Sequence, residues 1–176
     1  EYVIKSLPEI VARYPNLLYL IVGATHPVVR KHEGERCRNY LIKLVKNLGL
    51  EPHVKFYNKY VTLREILQYL KASDVYVSST LTPEQITSGT LSYALGTGRV
   101  CVSTPFLHAQ DLLKDGCGVL LPDFKNEISF REAFVSVLED FRKRRDIELT
   151  AYDNTRHMTW PNVALAYGDL LRQFVE

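Results

Sequence analysis

One stretch of the sequence, residues 82–105, combines an acidic loop, the polar opening of a helix and an apolar strand. Glu84 lies in the loop, and the hydroxyl- and glycine-rich run 87–90 follows it. Ser88 is a suitable N-cap, and the next amide groups, which have no partner inside the helix, can bind an anion. A nearby carboxylate can accept hydrogen bonds from sugar hydroxyls. The stretch therefore predicts a site for a phosphorylated sugar, with Glu84 on the sugar and Thr87, Ser88, Gly89 and Thr90 at the phosphates.

Simpler interpretations account for the same residues. A solvated loop acid, or one that caps a helix, explains Glu84, and an ordinary capped helix explains the run 87–90. The run is not a P-loop, since no Gly-Lys-Ser or Gly-Lys-Thr follows it.

Two other predicted strand ends carry weaker candidates for nucleotide binding. Gly23 ends the apolar run 17–22, where a glycine permits a tight turn and the close approach of a ligand. Tyr57 and Asn58 end the next strand and could flank a nucleobase. A plain turn explains Gly23, and a half-buried aromatic followed by a turn residue explains the other two.

The elements that position these residues alternate between helix and strand. The apolar runs 17–22, 54–57, 75–79, 100–103 and 119–121 predict strands, and amphipathic helical patterns separate them. Continuous apolar strands between helices indicate a parallel sheet covered on both faces, a Rossmann-like α/β fold in a single domain, 1–176. The polar candidates gather at the carboxyl ends of the strands, where such sheets bind ligands.

The chain opens with a helical pattern, 3–14, although a doubly wound domain usually opens with its central strand. We therefore expect that the first strand of this domain is missing from the chain.

Composition excludes several classes of protein. The chain has 176 residues, 46% hydrophobic and 24% charged, which suits one globular domain. A net charge of +2 gives no case for a nucleic acid partner. No apolar run approaches the roughly 20 residues that span a membrane, and no leader peptide is visible. Three irregularly spaced cysteines indicate reduced thiols and a cytoplasmic location.

The sequence gives no pattern for a metal or for a catalytic thiol. The five histidines have neither the spacing of a zinc site nor paired cysteines beside them, so we expect no metal and no cofactor. The basic run 142–145 is predicted to be a solvated corner between helices, with contact to anionic lipid headgroups as the alternative.

The chain resembles the carboxyl-terminal, nucleotide-sugar-binding domain of retaining GT-B glycosyltransferases of family 4, the group 1 type. The matching segments are Ala-Ser-Asp-Val-Tyr-Val at 72–77, Ser-Gly-Thr-Leu at 88–91, Val-Cys-Val-Ser-Thr at 100–104, Gly-Cys-Gly-Val-Leu-Leu at 116–121 and Met-Thr-Trp at 158–160. The similarity extends from residue 1 to the last helix.

The resemblance implies roles for individual residues. Glu84 matches the first glutamate of the family's Glu-x7-Glu pattern, which contacts the donor sugar, and Gln85 opens the run of amides that binds the diphosphate. Ser92 stands where the second glutamate holds the ribose, and a serine cannot make the bidentate contact of a carboxylate. No residue matches the Arg and Lys that clamp the diphosphate.

The resemblance also implies that this chain is half of an enzyme. The family places acceptor-binding groups on an amino-terminal domain, so we expect the chain alone to be inactive, and the full enzyme could touch a membrane surface. Two alternatives stay open. One is half of a sugar-nucleotide epimerase, and the other is an α/β binding module without catalysis, which Ser92 favours.

Overall fold

A computed structural model describes residues 1–174, which form nine α-helices, one 3₁₀ helix and five strands. The strands are β1 (Tyr19–Val22), β2 (Val54–Tyr57), β3 (Val75–Ser78), β4 (Val100–Ser103) and β5 (Val119–Leu120). The helices are α1 (Tyr2–Arg13), α2 (Pro27–Glu33), α3 (Arg36–Asn47), α4 (Leu63–Ala72), α5 (Gly89–Gly96), α6 (Leu107–Leu112), α7 (Glu127–Glu139), α8 (Phe141–Asn154) and α9 (Trp160–Arg172), with the 3₁₀ helix at Arg156–Met158.

The strands confirm the predicted class, parallel strands flanked by helices, and they form two sheets. β1 pairs with β2 in one sheet, and the order of the other is β3-β4-β5. All three pairings are parallel. The sequence pattern predicts one sheet, because apolar runs identify strands but do not say which strands are neighbours.

The described chain divides into two compact units. Unit 1 comprises Glu1–Ile66 and Lys125–Ser136, and unit 2 comprises Leu67–Phe124 and the chain from Val137 onward. The prediction of a single domain stays a prediction, and each unit is described separately below.

Unit 1 is built around the apolar face of α1. Val3, Ile4, Leu7 and Ile10 are buried, as the helical spacing predicts, and α1 packs against α3. Burying such side chains contributes about 1.5–3 kcal/mol each. α4 begins in this unit with a capping box. The Thr62 amide donates to Glu65 Oε2 at 2.8 Å, and the Glu65 amide donates to Thr62 Oγ1 at 3.3 Å.

Unit 2 is built around β4, whose four residues are all buried. α5 and α8 both pack against this strand. Cys101 in β4 is fully buried and is a small core residue, and this burial raises the pKa of its thiol.

Two helices of unit 2, α8 and α9, differ from what the sequence predicts for them. The basic run 142–145 is not a break, because it lies in the first turns of α8. Asp140 is the N-cap that the analysis missed, and its Oδ1 accepts the Lys143 amide at 2.9 Å. The helical spacing of the last apolar residues predicts an inner face for α9, but no residue of this helix is buried and Leu171 is 62% exposed. These residues are Val163, Ala166, Leu170, Leu171 and Phe174.

None of the helices in the described chain combines the length and the apolar character that a membrane crossing requires.

Candidate functional site

The loop between β3 and α5 in unit 2 is held from below by a buried threonine. Thr104, fully buried at the end of β4, donates from Oγ1 to the Thr80 carbonyl at 2.7 Å. Its amide donates to the Ser78 carbonyl at 3.1 Å. One residue of β4's end therefore fixes the path by which the chain leaves β3.

The first turn of α6 anchors the same loop on both sides of Glu84. The Leu107 amide donates to the Pro83 carbonyl at 3.0 Å, and the His108 amide donates to the Gln85 carbonyl at 3.1 Å. These amides are ones that a helix leaves unsatisfied at its start. Glu84 is exposed between the two anchors, and its carboxylate has no partner within residues 1–174.

The side chain of Gln85 supports the loop from inside. Gln85 Oε1 accepts the Thr80 hydroxyl at 3.0 Å, and Gln85 Nε2 donates to the Thr87 carbonyl at 2.9 Å. Its carbonyl accepts the His108 amide as well. Gln85 thus contacts both ends of the loop, and its side chain has a structural role in addition to any role toward a ligand.

Ser88 is the N-cap of α5, as predicted. Its backbone is extended, with φ −142° and ψ 100°, and its Oγ accepts the Leu91 amide at 3.4 Å. The Ser88 amide is also used, because it donates to His108 Nδ1 at 2.9 Å. The prediction that the amides after Ser88 have no partner is therefore wrong for the Leu91 amide.

Two backbone amides at the start of α5 are left without a hydrogen-bond acceptor among the described residues. Within the described residues, no group accepts a hydrogen bond from the Gly89 or the Thr90 amide. Both residues are exposed, and a Cβ at Gly89 would meet nothing closer than Tyr93 Cε2 at 4.0 Å. The helix dipole adds partial positive charge at this end. The first turn of α5 can therefore bind an anion.

The other polar side chains of this turn are directed by neighbours. The Tyr76 hydroxyl donates to Thr90 Oγ1 at 2.8 Å. Burial raises the pKa of Tyr76, so the hydroxyl stays protonated and remains a donor. Ser92 Oγ donates to the Ser88 carbonyl at 3.2 Å, a bond within the helix.

The remaining candidates, Gly23, Tyr57 and Asn58, lie in unit 1 at the ends of β1 and β2. Gly23 has φ +131°, a conformation that favours glycine, and its amide donates to the Tyr57 carbonyl at 3.0 Å. The Gly23 carbonyl accepts Arg38 Nη2 at 2.8 Å. The predicted strand ends are therefore neighbours within this unit.

The segment after Gly23 is fixed by α3. Arg38 Nε donates to Glu35 Oε2 at 3.2 Å, and Thr25 Oγ1 donates to the same oxygen at 2.6 Å. The bond from Thr25 and those from Arg38 lower the pKa of Glu35, which is therefore ionised. This segment borders an open cavity of about 720 Å³, lined by Gly23, Thr25, Arg30, Lys31, Tyr60 and Val61 among others.

A comparison with protein families decides what kind of domain this is. The family model described as "Glycosyl transferases group 1" matches residues 1–140. The chain belongs to the group 1 glycosyl transferases. No curated protein sequence is detectably similar to the chain.

Solved structures share the fold of this glycosyl transferase domain. The C-terminal domain of LpcC, a group 1 glycosyl transferase of Francisella tularensis, is 18% identical with a TM-score of 0.75 over 89% of this chain and 77% of that one. HepE of Anabaena in complex with UDP-glucose is 20% identical with a TM-score of 0.76 over 88% of this chain and 39% of that one.

A third structure matches nearly the whole chain. Sucrose-phosphate synthase of Thermosynechococcus elongatus is 19% identical with a TM-score of 0.78 over 99% of this chain and 42% of that protein. The chain thus spans about two fifths of the length of two of these three relatives.

The structure adds residues that the sequence analysis of this glycosyl transferase did not connect with the site. Thr80, Thr104 and His108 hold the loop around Glu84 and Ser88. Thr104 follows β4, which pairs with β3, and only this position in the sequence could have connected it with the site. The spacing of the residues predicts neither the Thr104–Thr80 bond nor the His108–Ser88 bond. Among residues 1–174, no three His, Cys, Asp or Glu side chains lie close enough to hold a metal ion.

Proposed function

We propose that this chain is the donor-binding half of a glycosyltransferase that transfers a hexose from a nucleotide sugar. The observation that carries the proposal is the pair of unpartnered amides, Gly89 and Thr90, in a group 1 glycosyl transferase domain. Their helix start is held in place by contacts from α6, so the amides need no rearrangement before they meet an anion. A preorganised pair of donors is what a diphosphate requires.

The proposed chemistry places charge stabilisation at the leaving group. When the bond between the sugar and the diphosphate breaks, negative charge grows on the diphosphate, and fixed amide donors with a helix dipole stabilise it. Gln85, Thr87, Ser88, Gly89 and Thr90 form the proposed diphosphate segment. Glu84, exposed and without a partner in the described chain, accepts hydrogen bonds from hydroxyls of the donor sugar.

For a nucleotide we propose contacts from Gly23, Tyr57 and Asn58 within unit 1. Ser92, in unit 2, is proposed separately as a contact for a ribose. The open cavity beside Gly23 supports the first group. We further propose that residues outside this chain bind the acceptor, since relatives such as HepE are more than twice as long, and that the chain alone does not transfer sugar. A cytoplasmic location, with no metal or cofactor, remains part of this proposal.

A second candidate, a binding module without catalysis, is favoured by Ser92. Its hydroxyl is engaged with the Ser88 carbonyl, so it offers less to a ribose than a carboxylate would.

Binding experiments on the chain test the donor proposal. Calorimetry with UDP-glucose, GDP-mannose and the free diphosphates UDP and GDP first identifies the nucleotide that binds. Glu84→Gln is expected to lower the affinity for the matching nucleotide sugar by about tenfold, because it removes a hydrogen bond to a charged acceptor. The affinity for the free diphosphate should not change. Asp153→Asn, an exposed acid on α8, is the matched control.

The change in affinity for the nucleotide sugar, compared with the change for the free diphosphate, decides the role of Glu84. Equal affinity of wild type and Glu84→Gln for the nucleotide sugar contradicts the contact with the sugar. Failure of every nucleotide to bind contradicts donor binding. Joined to its acceptor domain, the chain should transfer sugar to an acceptor. Conversion of the nucleotide sugar without an acceptor would instead indicate an epimerase, and binding without turnover would indicate the module.

A further inference from the structure

His108 is the residue that connects the start of α6 with the start of α5. It is half-buried, and its main-chain amide donates to the Gln85 carbonyl at 3.1 Å. Its ring Nδ1 accepts the Ser88 amide at 2.9 Å. A single residue thereby holds the chain on both sides of the two exposed loop residues, Ile86 and Thr87.

The contact with Ser88 specifies the protonation state of the ring. A backbone amide can only donate, so Nδ1 must present its lone pair, and the neutral ring then carries its proton on Nε2. A proton on Nδ1 would face the proton of the Ser88 amide. The contact would then be lost, and a half-buried amide would be left without an acceptor.

The position of Ser88 matters for the whole first turn of α5. Its extended backbone, φ −142° and ψ 100°, directs Oγ to the Leu91 amide, which leaves the Gly89 and Thr90 amides as the unpartnered pair. Within the described residues the His108 ring is the only acceptor of the Ser88 amide, so loss of this contact leaves that amide unpaired. The direction of the two following amides is then less well fixed.

We propose that neutral His108 is a positioning residue for the donor site: it holds Ser88 so that the Gly89 and Thr90 amides face the diphosphate, and protonation of its ring releases them. The inference rests on the proposed function of the α5 start. It adds a pH-dependent group, and His108 itself does not touch the reacting atoms.

The charges on the segments of unit 2 that touch His108 determine the sign of the effect. Within the described residues these segments carry Glu84 on the loop, Tyr93 on α5 and Asp111 on α6. Asp111 Oδ1 accepts Lys114 Nζ at 2.9 Å, and chiefly this bond, with a smaller contribution from His108, lowers the pKa of Asp111. Asp111 is therefore ionised, and the ammonium group of Lys114 balances its charge. A protonated ring would attract the ligand, and we expect loss of the Ser88 contact to outweigh that attraction.

Nuclear magnetic resonance tests the contact without any ligand. The imidazole nitrogen shifts of wild type at about pH 8 should report the Nε2–H form. The Ser88 amide resonance should move with the titration of the His108 ring. His108→Asn, whose Oδ1 can replace Nδ1 as acceptor, should keep the Ser88 shift without a titration. A ring in the Nδ1–H form, or a Ser88 resonance that ignores the ring, would overturn the proposal.

Affinity for UDP-glucose, whose diphosphate is a diester without a group that titrates near neutrality, tests the consequence. At about pH 8, His108→Ala should weaken binding by about fivefold and His108→Asn should restore it. When the pH is lowered from about 8 until the ring resonances report a protonated His108, the affinity of wild type for UDP-glucose should fall about fivefold relative to that of His108→Asn. His157→Ala, an exposed histidine of the same unit, is the control.

Each possible result of the affinity measurements leads to one conclusion. Wild type that gains affinity at low pH, or an Asn variant as weak as Ala, overturns the positioning role. If no variant binds any nucleotide at either pH, the donor site is wrong, and the positioning role fails with it. The resonance data still show separately whether His108 holds Ser88.

Discussion

The starts of α5 and α6 lie in the same unit, each after one of two paired strands, and they use their amides in opposite ways. In α6 the Leu107 and His108 amides donate to the Pro83 and Gln85 carbonyls. In α5 the Gly89 and Thr90 amides have no acceptor among the described residues. Both helices begin after an extended residue, so the difference does not arise from the geometry of their N-caps.

The difference separates a structural helix start from one that is available for a ligand. A helix start is closed when its free amides donate to carbonyls of the same chain, as in α6. Such a start stabilises the fold and has no amide available for a ligand. In unit 2 the closed start of α6 holds the open start of α5 in place. Four substitutions test this division, ordered by their expected effect on the free energy of unfolding.

The largest effect is expected from the buried residue that holds the loop between β3 and α5. Thr104→Val keeps the shape of the buried side chain and removes the donor to the Thr80 carbonyl, so we expect a loss of about 1–3 kcal/mol. Urea unfolding followed by circular dichroism measures it. Thr97→Val is a milder comparison, because Thr97 is the C-cap of α5 and its side chain donates only to the Ala94 carbonyl, three residues earlier. Equal losses would show that Thr104 has no special role.

Removal of one amide from the closed start should cost stability. Leu107→Pro places proline at the first position of α6, where its backbone is tolerated after extended Phe106. It deletes the donor to the Pro83 carbonyl, so it should unfold about 1 kcal/mol more easily than Leu107→Ala, which accounts for the lost side chain. No difference between the two variants would mean that the loop does not depend on α6.

Removal of the α5 cap should have a smaller effect. Ser88→Ala deletes the acceptor of the Leu91 amide but keeps the Ser88 amide on His108, and the bond it removes is long, 3.4 Å. We expect a loss of about 0.5 kcal/mol, the lower end for an N-cap. Ser79→Ala, an exposed loop serine, is the control in the same unfolding experiment. A loss much above 1 kcal/mol would show that the cap bond is stronger than its length indicates.

Removal of an amide from the open start should leave stability nearly unchanged. Gly89→Pro follows extended Ser88 and removes a donor that the described chain does not use, so we expect a change within about 0.5 kcal/mol. The same variant should bind UDP about fivefold more weakly, because it loses a donor to the phosphates. Gly89→Ala keeps the amide and has room for its Cβ, so it should bind more tightly than the proline variant. If the proline variant and wild type bind UDP with equal affinity, the start of α5 is not the phosphate-binding site.

Much of the fold was predictable because its signals are local. The apolar runs gave β2 and β4 with the same bounds as the structure, and Gly49, with φ +65°, follows the end of α3, where glycine is a local signal for the end of a helix. Two signals were present and missed: Pro27 opens α2, and Asp140 caps α8. The division of the strands into two sheets has no local signal, since it depends on which strands pair.

The candidate site was predictable only where it follows the chain. Ser88 is the cap of α5 because serine before glycine is a local pattern. The partners of the loop are not local, since His108 lies 20 residues from Ser88 and Thr104 lies 24 residues from Thr80. Such pairs form because parallel strands bring their ends together, and a single sequence contains no record of that pairing.

The exposure of α9 has a spectroscopic consequence. The chain contains one tryptophan, Trp160 at the first position of this helix, and it is 81% exposed. Water surrounds its indole in the folded chain as it does after unfolding, so its emission maximum should barely shift when the chain is denatured. The same fluorophore becomes a sensitive reporter of any molecule that covers α9, because a drier environment moves indole emission toward the blue.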